Sequence, residues 1–341
     1  MLTRRILAAV LLIGVLIVLG VVWRGSNGRG DEVVVYVSHD QVFSEPILKD
    51  FERDTGIHVR AMFDTEETKS AGLMNRLLAE KDRPQADVYW ANEPIRADVL
   101  RQRSVAAPYR SASAEGIPAQ FRDPNDYWTG FSARARMLIL DRRLEHKPAS
   151  IRAYTDRQFR GQAVIANPLF GTTTAHIAAL FTVWGDAQAK AFLQAMRANG
   201  VRVASSNGDS ADQVAKGAAQ FALVDSDDVF SRQKEGQPIE SAYPDQEPGG
   251  LGCFIVPNAV VLIKGAPHAD AGRKLIDYLL APDTEKKLAF SDAAQVPLHT
   301  GVETPPHVPH LDKLRVMMVD YGAVAAKLQQ IQPWLSDWAR N

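Results

Sequence analysis

The sequence predicts an α/β fold with two lobes, in which doubly wound sheets are joined by two hinge crossings and preceded by an N-terminal apolar helix. Three observations lead to this prediction. Runs of β-branched residues alternate with stretches of helical spacing, which favours mostly parallel sheets. The chain of 341 residues is long enough for two domains. Two strand-like segments, 131–140 and 252–263, separate two α/β units.

The first α/β unit begins with a buried-strand pattern over 32–38. A helix over 45–55, a second strand over 57–63, a helix around Leu77 and a short strand over 86–90 follow. Polar residues come directly after each of these strands. Ligands of doubly wound sheets bind beyond the carboxyl ends of the strands, so these polar loops are expected to lie at a binding site.

The second α/β unit follows the first crossing and has the same alternation. Its most informative stretch is Ile165–Leu180, which reads as a strand end, a Gly-Thr-Thr-Thr turn and the start of an apolar helix. A helix that begins in this way offers free backbone N–H groups to an anion, and its dipole favours negative charge. The predicted elements of this unit are a strand over 162–166, helices to 184 and over 187–199, strands over 201–203 and 221–224, and a short helix over 211–217.

After the second crossing, the pattern predicts a helix that ends near Leu280 with Asp270 as its N-cap, and then a tail with two helices over 311–334. The whole chain is accordingly divided as a signal peptide or N-terminal membrane anchor over 1–30, lobe one over 31–140, lobe two over 141–250, a return to lobe one over 251–305, and a C-terminal helical tail packing on the lobes over 306–341.

The N-terminal apolar run over 6–23 follows Arg4 and Arg5. Its length is close to the ~20 residues that span a bilayer as a helix. One interpretation is an uncleaved anchor with both arginines in the cytoplasm, and the other is a cleaved secretory signal. Both place the body of the protein, from Glu32 onward, outside the cytoplasmic membrane, which means in the periplasm or at the cell surface.

Composition excludes several classes of function. The formal net charge is -1 and the pI is near 6.7, so no basic face for nucleic acid is expected. The single cysteine, Cys253, permits neither an internal disulfide nor a cysteine metal site. The sequence has no Gly-x-Ser-x-Gly, His-Glu-x-x-His or Walker motif, so an enzyme is not expected and no catalytic residue or cofactor is assigned.

Polar side chains at the predicted strand ends converge from both lobes. Carboxylates dominate this set, and oxygen ligands suit hard cations. Any one acidic loop is also typical of a solvated turn or a helix cap. The pair Arg134 and Arg136 is either buried against acids or an anion clamp. The candidate ligand-binding residues are His39, Asp40, Asp64, Thr65, Glu66, Lys69, Asn92 and Glu93 in lobe one, with Arg136, Gly171, Thr172, Thr173, Thr174, Ser206, Asn207, Asp225, Asp227 and Asp228 in lobe two.

Several segments in order resemble the ferric-ion-binding family of ABC-transporter periplasmic substrate-binding proteins, within extracellular solute-binding protein family 1. The resemblance covers about residues 32–300. It implies a type II periplasmic binding protein fold, a monomer, and an inner-membrane ABC permease with its ATPase as partners in uptake. The matching segments are Val33–Tyr36 with His39 and Asp40, Phe51–Ile57, Ala86–Trp90, Gly130–Arg136, Ser205–Gly208, Val260–His268 and Leu275–Leu279.

The resemblance leaves the ligand open. Ferric binders of this family commonly use a His and a Glu from lobe one and two adjacent tyrosines from lobe two, whereas 225–228 contains no tyrosine. The first hypothesis is ferric iron or another hard metal ion on Asp40, Glu93, Asp225 and Asp228, with carbonate, phosphate or citrate as companion anion. The alternative is a small organic phosphate or phosphonate on the Gly171 helix start, with Lys69 or Arg136 opposite and an amine on the aspartates. A third hypothesis is a membrane-tethered receptor that uses the same cleft.

Overall fold

The structure is a computed structural model that describes residues 32–64 and 71–340. Within these residues it has ten strands and nine α-helices. The strands are β1 (Glu32–Val37), β2 (His58–Phe63), β3 (Val88–Ala91), β4 (Ala106–Ala107), β5 (Thr129–Asp141), β6 (Ala163–Ala166), β7 (Arg202–Ala204), β8 (Phe221–Asp225), β9 (Ile239–Ala242) and β10 (Ile255–Ile263). The helices are α1 (Gln41–Thr55), α2 (Ala71–Ala79), α3 (Pro94–Gln102), α4 (Gly171–Ala198), α5 (Asn207–Ala215), α6 (Ser226–Lys234), α7 (Ala269–Leu279), α8 (Pro282–Phe290) and α9 (Tyr321–Arg340).

The strands form one hydrogen-bonded path in the order β2-β1-β3-β10-β5-β8-β6-β7, with β4 paired to β10 and β9 paired to β5. The pairs β1–β2, β1–β3, β6–β7 and β6–β8 are parallel, whereas the pairs of β5 and β10 are antiparallel. The parallel units with helical connections are those that the alternating sequence pattern predicts.

β5 belongs to both halves of the path. Its first part pairs with β10, from Thr129↔Val260 to Ala135↔Ile255, and its second part pairs with β8 and β9. We call the part built on β1–β4 and β10 lobe one, and the part built on β6–β9 lobe two. All thirteen residues of β5 are buried, since helices or strands cover the strand along its full length. The expected two-lobed α/β fold is therefore confirmed, while the boundaries at 140, 250 and 305 remain predictions.

Three helix predictions can be compared with the structure. In α4, Gly185 has φ 76° and ψ 164°, so this helix consists of two segments that meet at a glycine, as the pattern around 185 predicts. The N-cap prediction at Asp270 is wrong, because His268 precedes α7 and Asp270 lies in its first turn. The two-helix prediction for the tail is also wrong, since the only α-helix of the described tail is α9.

No helix within residues 32–64 and 71–340 combines the length and apolar character needed to cross a membrane. The apolar run over 6–23, on which the anchor and signal interpretations depend, lies outside the described residues. The same holds for three candidate ligand residues of lobe one, Thr65, Glu66 and Lys69.

Candidate functional site

A cavity of about 520 Å³ lies where the carboxyl ends of β3 and β8 face each other across β5. Both lobes contribute to its wall, as the sequence predicts for a binding cleft between two α/β units. Its lining residues are Asp40, Asn92, Arg134, Ala166, Asn167, Phe170, Gly171, Thr172, Thr173, Ser205, Ser206, Asn207, Gly208, Asp225, Asp227 and Asp228.

Four helices begin at this cavity. α1 begins after Asp40, α4 at Gly171, α5 after Ser206 and α6 after Asp225. Among their cap residues, only Ser206 accepts a hydrogen bond from a backbone N–H of its own helix, that of Asp209 at 3.0 Å. The first-turn amides of α4 have no side-chain cap, because its cap residue is Phe170. Helix starts carry partial positive charge, so the cavity favours an anion at the starts of α4 and α5, where no carboxylate lines it.

Arg136 lies fully buried beneath these helix starts and holds three of them together. Its Nη1 donates to Thr172 Oγ1 at 3.0 Å and to Asn207 Oδ1 at 3.1 Å, and its Nη2 donates to Thr173 Oγ1 at 3.0 Å. Nη1 also donates to Asp225 Oδ1 at 2.8 Å. Arg136 is therefore a buried organiser of α4, α5 and the end of β8.

Arg134 lies two residues earlier on β5 and joins the two lobes. Its Nη1 is 3.3 Å from Asp225 Oδ2 in lobe two, and its Nη2 donates to the backbone oxygen of Asn92 in lobe one. The side chain of Arg134 is 8% exposed and borders the cavity, whereas that of Arg136 is 0% exposed. Of the two arginines, Arg134 is the one that a ligand can reach.

Asp225 accepts hydrogen bonds from both arginines and from Thr172 Oγ1 at 2.8 Å. Burial disfavours the charged form of this carboxyl, but Arg136 and Arg134 outweigh burial, and the pKa of Asp225 is lowered from its usual value. Both carboxylate oxygens are thus already used by protein donors. A metal ion on Asp225 would have to compete with two guanidinium groups.

Asp227 and Asp228 lie half-buried in the first turn of α6. Burial and the charge of Asp225 raise the pKa of Asp227 to about 6. Burial and the charges of Asp227 and Asp225 raise the pKa of Asp228 well above its usual value. One carboxylate oxygen from each of the three lies within 4.8 Å of the others, a spacing that could hold a cation. Because closely spaced carboxylates repel one another, such a cluster binds either protons or a positively charged ligand.

The structure places other predicted residues outside the cavity lining. Glu93 caps α3 by accepting from the backbone N–H of Ile95 at 2.6 Å, and it pairs with Arg96 at 2.7 Å. Asp64 accepts from Ser38 Oγ and from the backbone N–H of Leu73 at 3.0 Å. These carboxylates serve local hydrogen bonding at the ends of strands, which a sequence pattern cannot distinguish from a ligand role.

His39 and Thr174 are also absent from the lining. His39 is buried and stacks on Trp90 with ring centroids 5.6 Å apart. Thr174 is 3% exposed and lies one residue beyond the part of α4 that borders the cavity. The structure thus gathers Asp40, Asn92, Gly171, Thr172, Thr173, Ser206, Asn207, Asp225, Asp227 and Asp228, with Arg136 beneath them.

Several lining residues were not among the candidates. Asn167 and Phe170 belong to the loop before α4, and Ser205 and Gly208 flank the start of α5. Their positions next to the predicted turns could have identified them, because a loop that places one residue at a cavity also places its neighbours there. Phe170 is 65% exposed, and the sequence of its loop has no alternation of polar and apolar residues that would predict this exposure.

Comparison with known proteins places the chain in a family. Residues 47–314 match the family model described as bacterial extracellular solute-binding protein, and the chain belongs to this family. It is 24% identical over 291 residues to a putative 2-aminoethylphosphonate-binding periplasmic protein of Salmonella typhimurium, a match that covers 84% of this chain and 80% of that protein. The resemblance inferred from the sequence is confirmed at this level.

Solved structures share the fold. The apo ferric ion-binding protein A of Pasteurella haemolytica superposes with a TM-score of 0.79 at 24% identity, covering 91% of this chain and 98% of that one. The periplasmic binding protein AfuA of Actinobacillus pleuropneumoniae, with fructose-6-phosphate bound, gives 0.76 at 20% identity, covering 91% and 98%. The chain therefore has the two-lobed fold of periplasmic solute-binding proteins.

Proposed function

We propose that this chain is the exported substrate-binding component of an ABC importer and that its cavity binds a small organic phosphate or phosphonate carrying an amine. The observation that carries the proposal is that one cavity combines the starts of α4 and α5 with three crowded carboxylates at the start of α6. The helix starts suit an anion and the carboxylates suit a cation. A ligand with both charges satisfies the two parts of the cavity together.

The anionic end of the ligand would lie at the starts of α4 and α5. Gly171 has φ 61°, and no other protein atom lies within 4 Å of a Cβ added there, so the turn that begins α4 is uncrowded where it borders the cavity. Thr172 and Thr173 are held in place by Arg136, and Arg134 borders the same space. The hydroxyls of Thr172 and Thr173 donate within the protein, so the phosphate would accept from the first-turn amides of α4 and from Arg134, which need little reorganisation.

The cationic end would lie at Asp227 and Asp228. Burial and the neighbouring carboxylates raise the pKa of each, so a positively charged group beside them would favour their ionised forms. Asp225 is unsuited to this role because the two arginines already neutralise it. Asp40, which also borders the cavity, faces the ligand from lobe one.

The second candidate is a ferric or other hard metal ion held with a companion anion. The three carboxylate oxygens within 4.8 Å of one another favour it, and they come from Asp225, Asp227 and Asp228 rather than from the expected set with Glu93. Against it, the cavity lining as described contains no tyrosine, and Asp225 is bound to arginine. The metal therefore remains the alternative rather than the first proposal.

The remaining parts of the proposal follow from the family. A permease with its ATPase would recognise the closed, ligand-bound form in the periplasm, and the chain would act as a monomer without catalysis. Membrane attachment through residues 6–23 stays a prediction, and a tethered receptor would use the same cavity. Turnover of a bound ester by purified protein would contradict the binding role.

Calorimetry with four compounds tests the ligand class: 2-aminoethylphosphonate, fructose-6-phosphate, inorganic phosphate and ferric citrate. We expect 2-aminoethylphosphonate to bind most tightly, because it alone brings an ammonium to Asp227 and Asp228. Asp228→Asn should weaken this compound and leave inorganic phosphate nearly unchanged. Tight binding of ferric citrate without binding of any phosphonate would contradict the proposal and favour the metal.

A further inference from the structure

A second, outer cavity of about 950 Å³ adjoins the binding cavity and shares Asp227 and Asp228 with it. One wall is α6 of lobe two, with Phe230 and Lys234. The opposite wall comes from lobe one, with Val42 and Phe43 of α1 and Phe290 at the end of α8. The outer cavity is therefore the mouth of the cleft between the lobes.

α6 connects the two cavities. It has nine residues and so extends about 13 Å. Its first turn, with Asp227 and Asp228, borders the binding cavity. Its last residue, Lys234, reaches the mouth, where its Nζ lies 2.6 Å from Asp292 Oδ1. A short rigid helix of this kind moves as one body, so a change at either end displaces the other.

The pair Lys234–Asp292, which we call the mouth ion pair, crosses from one lobe to the other. α6 packs against β5, β8 and β9 in lobe two. Asp292 follows α8, which packs against β5 and against α1 and α7 of lobe one. Separation of the lobes at the mouth must therefore break the mouth ion pair, whereas an ion pair inside one lobe would stay intact.

Exposed apolar side chains at the mouth also favour approach of the two lobes. Val42 is 71% exposed and Phe290 is 51% exposed, and both border the outer cavity opposite α6. Closer approach of α6 would remove part of this apolar surface from water, which is favourable. Ionic and apolar contacts at the mouth thus both favour approach of the lobes, independently of what fills the inner cavity.

We propose that the mouth ion pair, Lys234 with Asp292, sets the separation of the lobes in the ligand-free protein and thereby tunes ligand affinity from outside the binding cavity. The inference rests on the proposed function only in assuming that binding is accompanied by lobe closure. Each side chain is 69% exposed, so the pair adds little to folding. A small free energy still shifts an equilibrium between two forms of similar stability.

Charge reversal tests the proposal. We expect Lys234→Glu and Asp292→Lys each to lengthen the distance between the lobes and to weaken 2-aminoethylphosphonate binding by up to about five-fold, the range found for exposed ion pairs. The double variant restores the pair with opposite polarity and should return both quantities toward those of the original protein. The matched control is the reversal of Lys147 and Glu240, an ion pair within lobe two.

The lobe distance can be measured without any ligand by double electron–electron resonance. Spin labels at Lys49→Cys in lobe one and Arg157→Cys in lobe two are suitable, because both positions are exposed and the natural Cys253 is buried. If the single reversals change the distance no more than the control does, or if the double variant fails to restore it, the proposal is wrong. Should no phosphonate bind, the proposed function fails, while the distance measurement still decides the role of the mouth ion pair.

Discussion

Arg136 and Asp225 are paired through the backbones of β5 and β8 and also through their side chains. They face each other in the antiparallel register of β5 and β8, and their side chains form an ion pair with 2.8 Å between Nη1 and Oδ1. Because backbone pairing fixes the two side chains on one face, the ion pair needs little additional ordering of the chain. Asp225 ends β8 and precedes α6, so the same pair also fixes where the acidic first turn of α6 begins.

Replacement of Arg136 by Met should destabilise the protein strongly. The substitution leaves the carboxylate of Asp225 without its nearest cation and removes one hydrogen-bond donor each from Thr172, Thr173 and the carbonyl of Leu223. Loss of one partner from a buried pair costs about 3–5 kcal/mol. Urea unfolding of the variant measures this change. Arg273→Met in α7, which removes a partly exposed arginine paired with the exposed Asp270, is the control and should change stability little, so equal effects would contradict the buried role.

The sequence predicted the fold well because fold depends on patterns that extend over many residues. The buried runs at β1 and β8 and the crossing at β5 lie within one or two residues of their predicted bounds. The secondary structure of the tail is harder to predict, because the Pro-rich segment before Tyr321 has no helical periodicity. The single long helix begins only at Tyr321. The N-cap of α7 was misassigned because Asp favours the cap and the first turn alike.

The site was predicted less completely, since a site depends on which partner each polar group finds. The loops before α4, α5 and α6 were found from their turn residues. Glu93 and Asp64 have the same local pattern as Asp225, yet local backbone groups bind their carboxylates. Whether Arg134 borders the cavity could not be inferred, because its separation from Arg136 by two residues only places both on one face of β5.

Stability should depend on pH through Asp227 and Asp228. Both pKa values are raised in the folded protein, and that of Asp227 is about 6, so between about pH 4 and 6 the folded state binds more protons at Asp227 than the unfolded state does. Stability contributed by these groups therefore falls as the pH rises through that window. Asp227→Asn should raise Tm at pH 7.5 and leave it nearly unchanged at pH 4. A Tm difference that stays constant from pH 4 to 7.5 would show that this repulsion is absent.

Affinity for an amine should show the opposite dependence on pH. An ammonium gains from Asp227 only when that carboxyl is ionised, and its pKa of about 6 places the change between pH 5 and 7. We expect 2-aminoethylphosphonate to bind more weakly at pH 5 than at pH 7 by calorimetry. Fructose-6-phosphate, which has no amine, serves as the comparison. If both compounds lose affinity equally, the phosphoryl group rather than Asp227 is responsible.

Thr173→Val should weaken every phosphate-containing ligand. The substitution removes the hydroxyl that accepts from Arg136 Nη2 at 3.0 Å and donates to Asn207 Oδ1 at 3.2 Å. Without this anchoring to Arg136 and Asn207, the start of α4 is held less firmly where the phosphate would bind, and we expect a Kd roughly five-fold weaker, equivalent to about 1 kcal/mol. The matched control is Thr182→Val in the same helix, whose hydroxyl donates to the carbonyl of Ala178 away from the cavity. Unchanged affinity in Thr173→Val would mean that the start of α4 is not the anion site.

Metal removal separates the two candidate ligand classes. If the ligand is an amino-phosphonate, dialysis against a chelator should leave the Kd of 2-aminoethylphosphonate within about two-fold, because α4, α5 and Asp228 bind it directly. If a metal occupies the three carboxylates within 4.8 Å of one another, chelation should abolish binding of the companion anion. Elemental analysis before and after dialysis reports the metal itself. Iron that remains in the original protein at one equivalent and is lost in Asp228→Asn would reverse the order of the two proposals, since only direct ligation by Asp228 gives that result.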